Sequence, residues 1–445
     1  MKILLVQSPL KGNIDAPIFP LGLAYLAAFL NNHEVRIYDT NVEEESNLWN
    51  IIDSFRPDII GISLRNIDNQ NPFHPLDYYG DFRALSVQIK SRYGAIPIVV
   101  GGAGFSMFAM DIMKANPHID FGIALEAEKT FSTFLENIKT PESVKGLYYR
   151  KDEEVYFTGY AQVEEFKSFP APRRDLFDID KYKSHIVSIG VQTKRGCPLK
   201  CSYCNYPTLN GAVSRLREAK GVVDEVEELV NRYKVKEFIF ADSVFNLPVK
   251  HAESICREII KREIKASWIC WLDIKNTTKE LLLLLKEAGC VGVSFSPDGL
   301  SSSSLMSLNK GIKESDVWAV LKLFTFTPEL KDIEVYMFMF INTPGETTWG
   351  MVKILIYKFT ALLVKIFMGR RFIVSFNWIR IEPSTELYKI ALESGVINRE
   401  KSLLQQGSEE IKSFFYYNKS LAAMNKRVRY IVMFAQRLKK LLKRG

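Results

Sequence analysis

Three cysteines, Cys197, Cys201 and Cys204, stand at C-x₃-C-x₂-C spacing in the stretch Gly196-Cys197-Pro198-Leu199-Lys200-Cys201-Ser202-Tyr203-Cys204. Thiolates are soft ligands suited to iron–sulfur clusters or to zinc. A cubane cluster needs a ligand on each of its irons, and this loop supplies all but one. Unless a further protein ligand arrives, one iron stays open to a small molecule. A structural zinc site wants four ligands, usually as two close pairs. Neither a second close cysteine pair nor a histidine pair at finger spacing is present. Cys256, Cys270 and Cys290 are solitary among apolar residues and are expected as buried core thiols. The triplet reads as a cluster loop in preference to zinc or to unligated thiols.

The loop resembles the signature of the radical S-adenosylmethionine (radical SAM) enzymes, including the aromatic residue before the third cysteine, here Tyr203. The flanking Thr193-Lys194-Arg195-Gly196-Cys197-Pro198 and Asn205-Tyr206-Pro207 follow the same pattern. The resemblance implies a 4Fe–4S cluster whose open iron is chelated by the amino and carboxylate groups of SAM. Reductive cleavage of SAM then gives a 5′-deoxyadenosyl radical that abstracts hydrogen from substrate, with electrons from a donor such as flavodoxin or ferredoxin.

The elements that must position this loop alternate. Strand-like runs at Lys2–Gln7, Glu34–Asp39, Ile59–Ser63, Ile96–Val100 and Phe121–Leu125 are separated by helical patterns such as Leu21–Asn31 and Asp81–Arg92. That spacing argues for a doubly wound parallel sheet over residues 1–140, with ligands at the carboxyl ends of its strands. The stretches Pro20-Leu21-Gly22-Leu23-Ala24-Tyr25-Leu26-Ala27, Gly101–Ser106 and Glu126-Ala127-Glu128-Lys129-Thr130-Phe131 resemble the flavodoxin-like cobalamin-binding domain of one large radical SAM subclass. The resemblance implies cobalamin contacts from Pro20, Gly22, Ser63, Arg65, Gly101, Gly102, Gly104 and Glu126. The usual Gly-Glu-Gly-Glu element reads Leu125-Glu126-Ala127-Glu128 here, and no Asp-x-His-x-x-Gly is present. None of the five histidines lies on the first loop, so the lower face of the cobalt is expected to lack a histidine, with Arg65 near it.

Residues 141–182 read as a β-hairpin followed by a proline-rich connector. From Ile186 the strand signals recur at Ile186–Thr193, Glu237–Phe240, Ser267–Leu272, Gly292–Ser296, Glu334–Asn342 and Phe372–Ile381, with helices between. Over residues 183–390 this predicts a partial (β/α)6 barrel with its chemistry at the carboxyl ends of the strands. The cluster loop follows the first strand. Asp242 and Asp298 end the second and fourth strands, where carboxylates can hold the ribose hydroxyls or amino group of SAM; a helix N-cap is the plainer role. Arg380 and Glu382 close the last strand and can reach the same nucleoside. Thr343-Pro344-Gly345-Glu346-Thr347 resembles the family's Pro-Gly-Glu-Thr element, with Asn342 where glycine is usual.

The composition, 47% hydrophobic and 25% charged, is that of a globular protein with two or three domains. Cysteine usage fits a reducing compartment, and the chain is expected to be cytoplasmic. The apolar run Met351 to Met368, interrupted by Lys353, Lys358 and Lys365, predicts an amphipathic helix rather than a spanning one. From Lys412 to Gly445 there are ten Lys/Arg and no Asp/Glu, which takes ten from the formal +8 and leaves −2 on the first 411 residues. Nucleic acid is therefore not an expected partner of the body. Residues 391–445 form a helical, basic tail in which Val428, Ile431, Val432, Ala435, Leu438 and Leu442 share one face. Such a tail suits an anionic membrane surface, or docks on the barrel with its lysines in water. The resemblance implies methylation of an unactivated carbon of a small-molecule or lipid-like substrate. Cyclisation or rearrangement with the same cofactors, and a non-catalytic cobalamin-binding protein, are the alternatives. A tRNA methylthiotransferase would carry N-terminal cluster cysteines, whereas the first cysteine here is Cys197.

Overall fold

The computed structural model describes residues 1–10, 16–400 and 402–421. The amphipathic pattern of the tail falls outside them. Five strands, β1 (Lys2–Gln7), β2 (Glu34–Asp39), β3 (Ile59–Ser63), β4 (Ile98–Gly101) and β5 (Phe121–Ile123), form a parallel sheet in the order β2-β1-β3-β4-β5. Ile3 to Val6 of β1 are wholly buried, as a sheet covered on both faces requires. The sheet does not stop there. The hairpin β6 (Leu147–Lys151) and β7 (Glu154–Phe157) adds antiparallel to the free edge of β5. Cross-strand ring pairs, Tyr148 on Phe157 at 4.3 Å and Tyr149 on Tyr156 at 5.6 Å, fix its register.

The second half opens with β8 (Gly190–Val191), then a short antiparallel ribbon of β9 (Lys194–Arg195) and β10 (Arg215–Leu216). Next come β11 (Glu237–Phe240), β12 (Ser267–Trp271), β13 (Cys290–Phe295), β14 (Glu334–Phe340) and β15 (Phe372–Asn377). β8 and β11 to β15 form one six-stranded parallel sheet in chain order, the expected partial barrel. Its first strand is shorter than expected. The amides of Thr193 and Lys194 leave the ladder and donate to Asp242 Oδ1 at 2.8 and 3.3 Å, which turns the chain out into the ribbon.

The helix Leu21–Ala28 lies between the two sheets and is apolar all round. Leu23 and Ala27 pack against β1 and β3, whereas Ala24 joins the barrel core. At the far side, Ile379, Ile381, Phe414 and Tyr416 share a core with Leu4, Val6 and Ile62 of the N-terminal sheet. The hydrophobic cores of the halves thus join at two places, with a space left between their strand ends. No described helix is long and apolar enough to cross a membrane.

Candidate active site between the two sheets

That space is a cavity of about 1040 Å³. From the N-terminal sheet it is lined by the loop after β1 (Pro17–Gly22), by Ser63 and Arg65 after β3, by Gly101 and Gly102 after β4, and by Leu125 to Glu128 after β5. From the barrel come Gly190, Gln192, Arg195, Tyr206, Ala241, Asp242 and Trp271. Both sheets present carboxyl strand ends to it, as parallel sheets present their ligand sites.

The residues that flank the cysteine loop, Arg195 and Tyr206, line this cavity. Gly196 has φ +86°, and a Cβ there would stand 2.1 Å from the Val213 carbonyl, so only glycine admits the turn. Cys197 N then donates to Gly211 O at 3.0 Å and Ser202 N to Leu308 O at 3.0 Å, which pins the loop at both ends. The three thiols lie close enough to feel one another: neighbouring cysteines add to the burial that pushes up Cys201 and Cys204, the latter to about 11. Among the described residues, no three Cys, His, Asp or Glu groups close on a point fit for a single ion. Cys256, Cys270 and Cys290 are buried in the barrel core.

Tyr203 and Asp298 are brought together. The Tyr203 hydroxyl donates to Asp298 Oδ2, which also accepts from Lys310 Nζ at 2.6 Å. Lys310 Nζ reaches Cys201 Sγ at 3.6 Å, linking the pair to the cysteine loop. Burial raises the Asp298 pKa, opposed by Lys310. Sequence reasoning missed Lys310. It hangs from a turn between Asn309 (φ +50°) and Gly311 (φ +65°), and its only signal is its place in the turn after the short helix Ser302–Ser307 that follows Asp298.

Asp298 and Tyr203 lie off the cavity, whereas Asp242 lines it, but its oxygens are taken. Oδ1 accepts from the Thr193 and Lys194 amides and Oδ2 from the Thr193 hydroxyl, while Lys194 Nζ pairs with Oδ2 by charge at 3.3 Å. A carboxylate offers about four acceptor positions, and this one has used them to shape the strand before the cysteines.

On the opposite wall, Pro20, Gly22, Ser63, Arg65, Gly101, Gly102 and Glu126 all line the cavity. Gly102 has φ +101° and a Cβ there would meet Leu64 O at 2.6 Å. Gly104 lies off the cavity, its amide donating to Leu64 O and Arg65 O at 3.0 and 2.9 Å; it lets a helix seat on the β3 loop. Glu126 is bound by Arg215, Nη1 to Oε2 at 3.0 Å, and stands 3.6 Å from Arg195. Leu125 holds φ +62°, the left-handed conformation that glycine would take without strain. Among the described residues, no histidine lines the cavity.

Arg380 and Glu382 point elsewhere. Arg380 Nε donates to Asp68 at 2.6 Å, Nη1 to Glu382 at 3.0 Å and Nη2 to Leu403 O at 3.1 Å, in a buried cluster joining the two halves. They leave the cavity because β15 ends at Asn377 and the chain then turns to pair Ile381 N with Phe414 O at 2.7 Å. Asn342 takes φ +70°, and its amide docks the closing segment, donating to Tyr416 O and accepting from Asn418 N.

Residues 8–135 match the B12 binding domain and residues 191–325 the Radical SAM superfamily. The chain belongs to the radical SAM proteins that carry a B12 binding domain. It is 29% identical over 324 residues to an uncharacterized methyltransferase of Pyrococcus horikoshii, covering 70% of this chain and 68% of that one. It is 26% identical to the anaerobic magnesium-protoporphyrin IX monomethyl ester cyclase of Rubrivivax gelatinosus, over 65% of this chain and 54% of the cyclase. The fold superposes on the radical SAM methyltransferase TsrM of Kitasatospora setae with TM-score 0.78 and 21% identity, covering 96% of this chain and 88% of that one.

The radical SAM domain implies a 4Fe–4S cluster and SAM, and the B12 binding domain implies cobalamin. The residues present fit those groups. The wall beneath the N-terminal strands carries the Arg65 side chain, open to the cavity and without a hydrogen-bond or ion-pair partner among the described residues. The Tyr78 hydroxyl beside it is buried and unsatisfied. A Cβ on Gly22 would meet nothing within 4 Å. This radical SAM protein therefore keeps polar groups and free volume where a large polar cofactor would lie.

Proposed function

We propose that this chain is a cobalamin-dependent radical SAM C-methyltransferase acting on a small-molecule or lipid-like substrate, with electrons delivered by a flavodoxin or ferredoxin. The observation that carries the reading is the single cavity shared by both sets of strand ends, which reaches Arg195 and Tyr206 on either side of the cysteine triplet. When bound, the cluster and SAM supply a radical, and cobalamin supplies the methyl group that the substrate carbon collects. Likeness to the Pyrococcus methyltransferase supports methyl transfer over cyclisation.

The chain's own work is placement and exclusion of water. Cys197, Cys201 and Cys204 hold the cluster, and Asp298, with Tyr203 and Lys310, is the polar group presented to SAM. Pro20, Gly22, Ser63, Arg65, Gly101 and Gly102 form the cobalamin wall. Asp242, Gly104, Glu126, Arg380 and Glu382 act as positioning residues, since each is already bonded within the protein. The basic tail supplies charge for contact with a membrane.

The test is anaerobic reconstitution with iron, sulfide and cobalamin, then SAM and a strong reductant, with 5′-deoxyadenosine and S-adenosylhomocysteine followed by chromatography. Both products with retained cobalamin are expected. Deoxyadenosine alone would replace methyl transfer by cyclisation or rearrangement. Neither product, from protein shown to hold its cluster, would count against an enzyme. Cys201→Ala should abolish both products.

A further inference from the structure

Barrel helices ordinarily turn charge to the solvent, as Val249–Lys261 does with Lys250, Ser254, Arg257 and Lys261 exposed. The helix Thr348–Met368 does not. Its inner face, Met351, Ile354, Tyr357 and Ala361, packs on the barrel. Its outer face is apolar as well: Leu355, Ile356, Phe359, Leu362, Ile366 and Phe367 all face outward, with Phe359 60% and Phe367 79% exposed. The expected amphipathic helix is thus apolar on both sides. At about 100° per residue the lysines fall on its flanks, Lys353 on one side and Lys358 and Lys365 on the other. Lys353 is held by Glu314 at 2.6 Å, whereas Lys358 lies over the Phe376 ring at 4.3 Å. The patch continues onto Phe326, 75% exposed, beside Arg370, which donates to Thr325 O.

Exposed apolar surface of this extent marks an interaction site, and the charges select its occupant. The helix contains no Asp or Glu. In a symmetric pair of copies the same flanking lysines would face each other. The chain's own segment 422–445 starts close by, since Asn418 Nδ2 donates to Thr343 O and Glu346 O just ahead of this helix. That segment carries only basic charges, the same sign as the helix flanks. An anionic lipid surface complements both. Lysine stems run along apolar surface while their ammonium groups reach the headgroups, and a helix with an apolar outer face lies in the plane of the interface. We propose that the outer face of Thr348–Met368 is a docking surface for an anionic bilayer, with the barrel seated on the membrane and the helix parallel to it. The inference rests on this surface alone and stands apart from the reading of the cavity.

The test is co-sedimentation of the reconstituted full-length protein with vesicles of phosphatidylcholine, with and without phosphatidylglycerol. Three proteins are compared: the natural chain, the double substitution Phe359→Glu/Ile366→Glu, and a tail variant with Arg427, Arg429 and Arg437 changed to Gln. Both substituted helix positions are exposed, so an unchanged thermal unfolding midpoint certifies the fold. The natural chain should bind the anionic vesicles, the tail variant should keep most of that binding, and the double substitution should lose it by tenfold or more. Undiminished binding by the double substitution would overturn the proposal. So would binding lost in the tail variant alone, which would make the tail the anchor. Absence of vesicle binding overturns it too, and a dimer broken by the double substitution would then assign the face to a second copy.

Discussion

Arg195 and Glu128 meet across the two halves of the chain, Nη2 donating to Oε1 at 2.6 Å with both side chains buried. Arg195 stands two residues before Cys197, while Glu128 opens the helix after β5. The guanidinium is also walled by the rings of Tyr25, Phe166 and Phe169 at 4.7 to 5.3 Å. One contact thus sets the cysteine loop against the N-terminal domain. Removing one partner of a buried pair strands the other charge, so Arg195→Met should cost about 3–5 kcal/mol in urea unfolding of the apo protein. The double variant Arg195→Met/Glu128→Leu should recover much of that, because apolar replacements of a buried pair are often neutral. A double variant as unstable as the single would show that ring packing, and not charge, holds the joint.

Lys310 and Asp298 make a second such pair beside Cys201. Lys310→Met and Asp298→Asn should each destabilise the apo protein by about 3 kcal/mol. Together they should cost less than the sum of the singles by about 1–3 kcal/mol, the coupling of two groups in direct contact. Additive losses would mean that Tyr203, and not Lys310, is the main partner of Asp298. Either way, SAM binding followed by calorimetry should fall in every Asp298 variant.

The order of strands and the place of the cysteine loop were legible because alternation of apolar runs and thiol spacing are local properties. The roles of polar residues were not. Asp242 and Asp298 both follow barrel strands, after Phe240 and Phe295, yet only contacts distant in sequence separate them. Thr193 and Lys194 saturate Asp242, whereas Asp298 keeps a side facing Lys310 and Tyr203. Arg380 looked like a strand-end ligand residue, but β15 ends three residues earlier and the chain turns it onto Asp68. The helix Thr348–Met368 shows the same limit: three lysines in an apolar run suggest one polar face, and only the exposure of Phe359, Ile366 and Phe367 shows that the outer face is apolar too.

Two glycines should answer differently to alanine. Gly196 is strained for any side chain and its Cβ would collide with Val213 O, so Gly196→Ala should lose about 2–4 kcal/mol and lower cluster content on reconstitution. Gly22 sits inside a helix with free space before it. Gly22→Ala should therefore stabilise the apo protein by about 0.5–1 kcal/mol while lowering the cobalamin retained after gel filtration, read from the absorption spectrum. Unchanged cobalamin retention in Gly22→Ala would remove that residue from the cobalamin wall.

Glu382 gives the joint between the halves a pH dependence. Burial pushes its carboxyl up to about 7, against the pull of the Arg380 guanidinium, with Asp68 adding to the rise. The folded protein then holds a proton that the unfolded chain has released, between the ordinary value of 4.5 and about 7. Stability from this group is present below the lower value and is lost as pH rises through the upper one. Glu382→Gln keeps an acceptor toward Arg380 and leaves Asp68 as its ion-pair partner, but cannot lose a proton. In urea unfolding of the apo protein, the variant should gain on the natural chain by roughly 1–3 kcal/mol between about pH 5 and pH 8. A difference that stays flat, or that moves toward the natural chain as pH rises, would mean that the ion pair with Arg380 outweighs burial and holds Glu382 charged throughout.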